Sequence, residues 1–210
     1  TDFEESSDTK VDYPVYVKPS YSRGSRGQFV CNTKEETLQA IQKASEISND
    51  GKAVIEKYMG NNDNIQVTYF VVDGEPYLLR TVDQYQGDKK VGLEKLCLAA
   101  VSPSVYTDLY LNNVHHRVVN AIKTLGIKNG PVFMQGFVDG QTVRFYDPGL
   151  RFPGTDYSIV LKNHLQIDTA KALVEFALTG KCNSIKEHLK ENGKLYYVIR
   201  KNQGAKSISS

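Results

Sequence analysis

The hydrophobic pattern of the first thirty residues predicts a β-hairpin. Short apolar segments at residues 13–18 and from Phe29 onwards flank a loop at residues 22–27 that is rich in serine, glycine and arginine. Apolar and β-branched runs bounded by such residues are typical of strands joined by a turn. We expect the first strand to deliver Lys18 to this loop, immediately before Pro19.

A helix and a further strand are predicted after this hairpin. Thr33 and Glu36 have the spacing of a capping box, in which a hydroxyl and a carboxylate each satisfy a free backbone N–H at the helix start. Residues 53–59 have the apolar, β-branched composition of a strand. The order hairpin, helix and strand predicts a compact first lobe over residues 13–60. Its helix should bury one apolar face, made of Leu38, Ile41, Ala44 and Ile47.

The following residues predict a second lobe over residues 61–195. Two Asp-Gly turns mark hairpins, one joining residues 65–72 to 76–82 and the other joining 132–138 to 142–147. Between the hairpins, one apolar stripe predicts a single helix that buries Val105, Leu109, Val114, Val118, Ile122 and Leu125.

Shorter elements complete the predicted second lobe. Residues 96–101 are apolar and predict a strand, and Asp168 is placed to cap a helix that Gly180 ends. We therefore expect an α+β fold with two lobes and antiparallel or mixed sheets. The expected order is a linker at 1–12, lobes at 13–60 and 61–195, and an edge strand with a tail at 196–210.

The composition is that of a soluble globular protein without a dominant charge. Of 210 residues, 40% are hydrophobic and 24% are charged, and the net charge is +2. This balance gives no general attraction to nucleic acid or to an anionic membrane surface. No apolar run of about 18 residues occurs, so we expect no membrane span.

Cysteine usage and the N-terminal sequence indicate a fragment of a cytoplasmic protein. Cys31, Cys97 and Cys182 are odd in number and widely spaced, which favours reduced thiols over a disulfide framework. No signal peptide is visible. The chain begins at Thr1 with an acidic, serine-rich segment, which we interpret as a linker from an upstream region of a longer protein.

The loop at residues 22–27 is a candidate phosphate-binding element. Its glycines allow the backbone to approach an anion closely, and Lys18 supplies a compact cation just before it. A plain solvated hairpin explains the same residues, and a lone loop of this composition favours that explanation. Arg23 and Arg26 also allow an RNA contact, which the nearly neutral net charge disfavours.

Residues 56–59 are a candidate adenine-binding segment. An extended backbone beside apolar side chains can offer N–H and C=O groups to a base edge. Asp63 follows seven residues after Glu56. A carboxylate can accept hydrogen bonds from two sugar hydroxyls, although Asp63 is explained equally well as a turn residue.

A third candidate segment combines Gln135, Asp147 and Arg151 on and just beyond the second hairpin. An amide oxygen and a carboxylate are hard oxygen donors, which Mg²⁺ prefers.

Together these segments resemble the ATP-grasp superfamily, particularly the carbamoyl phosphate synthetase and biotin carboxylase type, over residues 13–180. Enzymes of this family use ATP to convert a carboxylate into an acyl phosphate, which an amine or another nucleophile then attacks. The resemblance implies a two-lobed fold with ATP between the lobes, and ATP and Mg²⁺ as cofactors. The implied partners are a small carboxylate, a nucleophile and an upstream domain of the same protein, without nucleic acid or membrane; an oligomer is compatible with it.

The resemblance assigns a role to each segment. Lys18 and Arg151 are the implied catalytic cations, and Gln135 and Asp147 are the implied Mg²⁺ ligands. Arg80 is a further candidate for phosphate or substrate carboxylate, although a surface arginine at a strand end explains it at least as well. Asn64 and Gln66 are secondary candidates for the ribose. The implied nucleotide-binding residues are Lys18, Ser22, Arg23, Gly24, Ser25, Gly27, Glu56, Lys57, Tyr58, Met59 and Asp63.

The chain departs from the family pattern beyond Asp147. The family usually has an asparagine two residues after its metal-binding carboxylate, and Gly149 occupies that position here. Glutamate is also common where Asp147 stands. Gly149 is the main evidence for an alternative function, a degenerate nucleotide-binding module that does not catalyse ligation; the ligase remains the favoured interpretation.

The metal assignment depends on the register of the second hairpin. Side chains alternate across a strand, so a regular two-residue turn at Asp139 and Gly140 would place Gln135 and Asp147 on opposite faces. A three-residue turn with a bulge at Gly140 would bring both onto one face. We therefore predict the bulged turn.

Overall fold

The chain divides into two compact units, residues 1–61 and residues 62–210. Helices and antiparallel sheets occur together in the computed structural model, as predicted for an α+β fold. The structure describes residues 12–22, 26–60, 62–86, 97–153, 157–185 and 197–200.

The first unit is a three-stranded antiparallel sheet with one helix, α1 (Lys34–Ile47). Its strands are β1 (Val15–Pro19), β2 (Phe29–Cys31) and β3 (Ala53–Lys57), in the order β2-β1-β3. The predicted order of hairpin, helix and strand is confirmed.

The core of the first unit forms between one face of this sheet and α1. Val15 and Val17 alternate with more exposed residues along β1 and pack with Cys31, Ala40 and Ala44. Since successive side chains of a strand point to opposite faces, the intervening residues of β1 lie on the face away from α1.

The start of α1 is capped as the sequence predicts. The backbone N–H of Glu36 donates to Thr33 Oγ1 at 3.2 Å, and Glu36 Oε2 accepts from the backbone N–H of Asn32 at 2.6 Å. Two N–H groups that would otherwise lack partners are therefore bonded at this helix end.

The buried face of α1 differs from the predicted one. Leu38 and Ile47 are 45% and 44% exposed, whereas Thr37, Ala40 and Ala44 are buried. The predicted stripe is correct at Ala44, which is buried, and at Ile41, which packs against the core, and it is wrong at Leu38 and Ile47.

The second unit is built on a six-stranded antiparallel sheet in the order β8-β7-β4-β5-β6-β9. The predicted hairpins are confirmed as β4–β5 and β7–β8, and the last strand pairs with β6 at one edge. The strands are β4 (Asn64–Val72), β5 (Glu75–Gln86), β6 (Cys97–Ser102), β7 (Gly130–Asp139), β8 (Thr142–Gly149) and β9 (Tyr197–Arg200).

Two helices pack on one face of this sheet, α2 (Thr107–Asn113) and α3 (His115–Thr124). The single helix predicted here was wrong, because the chain leaves helical geometry at Val114, where φ is −123°. The predicted stripe is correct in its centre. Its two ends, Val105 and Leu125, are 79% and 75% exposed and lie outside both helices.

The opposite face of the sheet is covered in part by α4 (Tyr157–Leu165) and α5 (Thr169–Thr179). Phe70 and Val72 of β4 pack there, while their odd-numbered neighbours pack against α2 and α3. The sequence did not predict α4.

Both ends of α5 agree with the prediction. Asp168 Oδ1 accepts from the backbone N–H of Lys171 at 3.0 Å, and Gly180 ends the helix with φ of 71°, a conformation that favours glycine. The helices in the described part of the chain are too short or too polar to cross a membrane.

Candidate functional site

β1 presents Lys18 on the face of the first sheet that lies away from α1. Val15 and Val17 are buried on the helix side, so Tyr16 and Lys18 lie on the other face. Lys18 Nζ forms an ion pair with Glu56 Oε2 of β3 at 2.8 Å. Their side chains are 26% and 40% exposed, so the pair is oriented by the sheet and still accessible to a ligand.

The predicted adenine-binding residues lie at the end of β3 and just beyond it. Glu56 and Lys57 end the strand, and Tyr58 and Met59 follow it. The backbone N–H of Tyr58 donates to Pro14 O at 3.2 Å, so that group is occupied within the sheet. The strand predicted over residues 53–59 therefore ends two residues early, at Lys57.

The loop between β1 and β2 is described at its two ends. Ser22 Oγ donates to the backbone carbonyl of Arg26 at 2.9 Å. Gly27 has φ of 71°, and a Cβ there would lie 2.6 Å from Ile47 Cδ1 and 3.0 Å from Pro19 Cγ. Glycine is therefore required at this position by conformation and by space. The predicted phosphate contacts Arg23, Gly24 and Ser25 lie outside the described residues.

The register of β7 and β8 places Gln135 and Asp147 directly opposite each other. Asp139 pairs with Thr142, so the turn has two residues and the predicted bulged turn is wrong. The bulge lies inside the hairpin instead, where Tyr146 is the additional residue of β8. The two candidate metal ligands share one face of the sheet, as the metal assignment requires. The bulge inside the hairpin, rather than the predicted bulge at the turn, brings them to the same face.

Polar side chains from β4 and β5 lie on this same face. Gln66 pairs with Gln135, whose Nε2 donates to Gln84 Oε1 at 2.8 Å. Arg80 is only 5% exposed, and its Nε donates to Thr68 Oγ1 at 3.3 Å. The alternative explanation of Arg80 as a surface arginine was therefore wrong.

Arg151 forms an ion pair with the candidate metal ligand Asp147. Its Nη2 donates to Asp147 Oδ2 at 2.7 Å, and its guanidinium carbon lies 4.7 Å from the centre of the Phe133 ring. Gly149 leaves room for this arrangement, since a Cβ there would lie 3.3 Å from Arg151 Cγ and Nε. An exposed ion pair contributes about 0–1 kcal/mol, so a ligand can separate it at low cost.

Gln135 and Asp147 fit one magnesium ion that is shared with phosphate groups. Mg²⁺ usually takes one or two protein carboxylates and completes its shell with water and substrate phosphates. Across the described ranges, no three His, Cys, Asp or Glu side chains are grouped so that they could hold a metal.

Asp63 lies just before β4 and is hydrogen-bonded to Tyr106. Tyr106 was not among the residues predicted from the sequence. Tyr106 Oη donates to Asp63 Oδ2, and this bond raises the pKa of Tyr106 above its usual value. The backbone carbonyl of Asp63 accepts from the N–H of Val138 at 2.9 Å. Asn62 Nδ2 donates to Val138 O at 2.7 Å. The segment that carries Asp63 is therefore attached to the end of β7.

Asn64, the next residue, also faces the polar side of the sheet. Its Nδ2 donates to Tyr146 Oη at 2.7 Å, and the Tyr146 ring stacks on Phe137 with centres 4.8 Å apart. Asn64 Oδ1 is buried and has no hydrogen-bond partner among the described residues. Polar residues at every second position of an otherwise apolar strand, Asn64, Gln66 and Thr68, were the signal that could have identified this face from the sequence.

A groove of about 1050 Å³ lies on the opposite face of the sheet, between α3 and the β7–β8 hairpin. Its lining is mainly apolar, and the charged residues in it are Arg117 and Arg144. An apolar pocket is the usual first candidate for a ligand site. None of the predicted site residues lines this groove, and its two arginines are accompanied by no carboxylate or amide side chain among the lining residues that could hold a metal. We therefore place the candidate chemistry on the polar face.

The sequence matches one characterised family over most of its length. Residues 3–146 match the family described as carbamoyl-phosphate synthase L chain, ATP binding domain. The carbamoyl phosphate synthase large chain of Pseudothermotoga lettingae is 29% identical over 143 residues, which are 67% of this chain and 12% of that protein. The chain thus spans about an eighth of the length of this relative.

Two solved structures have the same fold. One is the biotin carboxylase domain of Hydrogenobacter thermophilus 2-oxoglutarate carboxylase, crystallised with MgADP, ADP and bicarbonate. Its TM-score is 0.66 at 21% identity, over 82% of this chain and 38% of that chain. The other is an L-amino acid ligase from Bacillus licheniformis, with a TM-score of 0.63 at 18% identity, over 81% of this chain and 40% of that chain.

Proposed function

Because the chain belongs to the carbamoyl-phosphate synthase L chain ATP-binding domain family and has the α+β ATP-grasp fold, we propose that it binds ATP and Mg²⁺ for a ligase reaction. The reaction activates a carboxylate as an acyl phosphate. A carboxylate oxygen attacks the γ-phosphorus of ATP, the bond to the bridging oxygen breaks, and ADP leaves. An amine or another nucleophile then bonds to the acyl carbon, and inorganic phosphate leaves.

The first unit supplies the contacts proposed for adenine and the phosphates. Backbone groups of residues 56–59 bind the adenine edge, and Lys18 with the loop at 22–27 binds the phosphates. The Lys18–Glu56 ion pair supports this role, because it holds the ammonium on the open face of the sheet at 26% exposure. A lysine held in this way neutralises phosphate charge without first losing much conformational freedom.

The second unit supplies the contacts proposed for ribose and for phosphoryl transfer. Asp63 accepts from the sugar hydroxyls, and Arg151 neutralises charge on the transferring group. Gln135 and Asp147 would hold Mg²⁺, which would supply neutralisation of phosphate charge when bound. The protein's share of catalysis is then chiefly positioning and electrostatic stabilisation.

Arg80 is proposed to bind the substrate carboxylate or a phosphate oxygen. It lies on the same face as Gln135, and its guanidinium is already oriented by Thr68. A buried arginine attracts an anion more strongly than an exposed one, because water screens the charge less.

The observation that carries this proposal is the pairing of Gln135 with Asp147 across β7 and β8, with Arg151 bonded to Asp147 at 2.7 Å. An amide oxygen, a carboxylate and a guanidinium thus converge at one place on the polar face. This combination suits a metal-bound phosphate, because the Asp147 and Arg151 side chains are 43% and 50% exposed and so remain accessible to a ligand.

Gly149 favours a second function, a nucleotide-binding module that does not catalyse ligation. The position lacks any side-chain ligand, and the Arg151 side chain lies within 3.3 Å of where a Cβ would be. ATP binding without ADP formation would be the property of such a module.

Calorimetric titration with Mg-ATP tests the proposed binding. Asp147→Asn is expected to weaken Mg-ATP binding about tenfold, or about 1.4 kcal/mol, because it removes the single carboxylate of the donor set. Binding of ATP in the presence of EDTA should change much less. Asp139→Asn is the matched control, because Asp139 lies on the same hairpin and pairs with Arg144 instead. Equal affinities for Mg-ATP in the unaltered chain and Asp147→Asn would contradict the assignment.

A second assay separates ligase from binding module. ADP release is measured with a panel of carboxylates and amines in the presence of Mg-ATP. ADP release that requires an added carboxylate, and that is lost when Arg151 is substituted, supports the ligase reaction. Tight Mg-ATP binding without ADP release favours the binding module, and the absence of any ATP binding defeats both functions.

A further inference from the structure

Several hydrogen bonds fix the loop that carries Tyr106, whose hydroxyl donates to Asp63. Asp83 of β5, which is 8% exposed, accepts from Ser104 Oγ at 2.5 Å and from the backbone N–H of Val105 at 2.9 Å. Ser104 Oγ in turn accepts from the backbone N–H of Tyr106 at 3.0 Å. The loop before α2 is therefore fixed to the sheet.

A second group of bonds fixes the same loop from the other side. Thr81 Oγ1 lies 2.6 Å from Thr107 Oγ1 and accepts from the backbone N–H of Ser104 at 3.2 Å. Ser102 Oγ donates to the backbone carbonyl of Thr81 at 2.9 Å. The ring of Tyr106 also packs against the core under α2 and α3. The position of its hydroxyl is thus set independently of its bond to Asp63.

The Tyr106 bond occupies only one oxygen of Asp63. The hydroxyl donates to Oδ2, and the side chain of Asp63 is exposed to solvent. A carboxylate has lone pairs on both oxygens, so Oδ1 remains able to accept from a ligand hydroxyl. A phenol that donates to one oxygen also limits rotation of the carboxylate, which fixes the direction of the other oxygen.

We infer that Tyr106 is a positioning residue for the nucleotide sugar, which acts by orienting Asp63 toward the ribose hydroxyls. This inference rests on the proposed function, since it assumes that Asp63 binds ribose. It adds a specificity role: the Tyr106–Asp63 pair makes the site prefer a ribonucleotide to a deoxyribonucleotide. The competing explanation is that Tyr106 only closes the loop before α2.

Nucleotide selectivity of Tyr106→Phe distinguishes these explanations. Calorimetry would give the dissociation constants of Mg-ATP, Mg-2′-deoxyATP and Mg-3′-deoxyATP for the whole 210-residue chain. We expect Tyr106→Phe to weaken Mg-ATP binding about tenfold, because a hydrogen bond to a charged group is lost. Binding of the deoxynucleotide that lacks the contacted hydroxyl should change less than about twofold, so the selectivity for ribose collapses.

A double variant shows whether Tyr106 acts through Asp63. If it does, Asp63→Asn with Tyr106→Phe binds Mg-ATP no more weakly than Asp63→Asn alone. Tyr77→Phe is the matched control, because it removes a phenol at the other end of β5, where Tyr77 packs beside Phe70. That variant should keep the selectivity of the unaltered chain, and thermal unfolding of each variant confirms that it folds.

Two results would overturn the inference while leaving the proposed function intact. One is an equal loss of affinity for all three nucleotides in Tyr106→Phe. The other is a loss in the double variant that equals the sum of the two single losses. Failure of the unaltered chain to bind Mg-ATP would instead overturn the proposed function, and the inference with it.

Discussion

Polar side chains occur at alternate positions of β4. They therefore all lie on the polar face of the sheet, opposite the face that packs against α2 and α3. Gln66 and Thr68 are 3% and 0% exposed, although their neighbours Ile65 and Val67 already supply the buried apolar surface of this strand. Burying a polar group without a partner costs about 1–3 kcal/mol. Their presence is therefore explained by the network on that face, which includes Gln135 and Arg80.

His115 is a second polar residue, and its ring contacts those of Tyr69 and Tyr110. Its Nδ1 lies 2.7 Å from Tyr69 Oη, which lies 2.5 Å from Tyr110 Oη. Burial chiefly, and the neighbouring His116, hold the pKa of His115 below its usual value. Burial also raises the pKa of both tyrosines well above the usual range, so they stay protonated.

The lowered pKa of His115 predicts a loss of stability on mild acidification. The unfolded chain binds a proton at His115 near pH 6.5, whereas the folded chain resists protonation until a lower pH. The contribution of neutral His115 is therefore complete above about pH 6.5 and is lost as the pH falls toward the folded pKa. The free energy of unfolding, measured with urea between pH 7.5 and 5.5, should fall more steeply for the unaltered chain than for His115→Asn.

The exposed neighbour His116 provides the control for this measurement. His116→Asn should keep most of the pH dependence of the unaltered chain, since its ring is exposed. If the free energy of unfolding of His115→Asn depends on pH as steeply as that of the unaltered chain, His115 does not cause the loss of stability.

At the scale of elements, the bulge between β7 and β8 determines which side chains meet. A Cβ on Gly136 would lie 2.7 Å from Val143 Cγ1 and 2.8 Å from the backbone oxygen of Arg144. Glycine therefore allows the two strands to approach at this point. The bulge beside it returns Gln135 and Asp147 to the same face.

Gly136→Ala is expected to destabilise the second unit by about 1–3 kcal/mol, because the new methyl group meets backbone that cannot move aside. Mg-ATP affinity should fall as well, since any shift of β8 displaces Asp147 from Gln135. Denaturant unfolding and calorimetry measure the two effects.

Gly149→Ala is the comparison for that variant. Its Cβ would contact only the flexible side chain of Arg151, at 3.3 Å, so the loss of stability should be less than about 1 kcal/mol. Equal destabilisation by both substitutions would contradict the role given to the bulge.

The elements that the sequence predicted correctly are those specified by local chemistry. Thr33 and Glu36 cap α1, Asp168 and Gly180 bound α5, and the Asp-Gly pairs lie at hairpin turns, because each signal acts within a few residues. The bulge at Tyr146 depends on contacts between two strands. The interruption at Val114 also lies within a continuous apolar stripe, so no local signal marked it.

The sequence singled out residues that the structure brings together, but it did not reveal the hydrogen-bond network around them. The resemblance to ATP-grasp enzymes supplied Gln135, Asp147 and Arg151, and the structure brings these three together. Tyr106 and Gln84 were missed because their partners are 43 and 51 residues away in the chain. Such pairs become apparent only when the strands are in register.

At the scale of the whole molecule, two surfaces of the second unit are candidate ligand sites. The polar face carries Asp147, Arg151 and the buried Arg80, whereas the groove of about 1050 Å³ beside α3 is mainly apolar. Size alone would favour the groove. Both surfaces carry arginines, but the combination of arginines with a carboxylate and an amide oxygen that could hold a metal lies on the polar face.

Amide chemical-shift mapping by NMR, during titration with Mg-ATP, tests this central claim most directly. The account predicts large shifts at Lys18, at residues 56–63 and at the segments around Gln135 and Asp147, with little change along α3. Shifts confined to the groove residues of α3 and β8, or no shifts at saturating Mg-ATP, would contradict it.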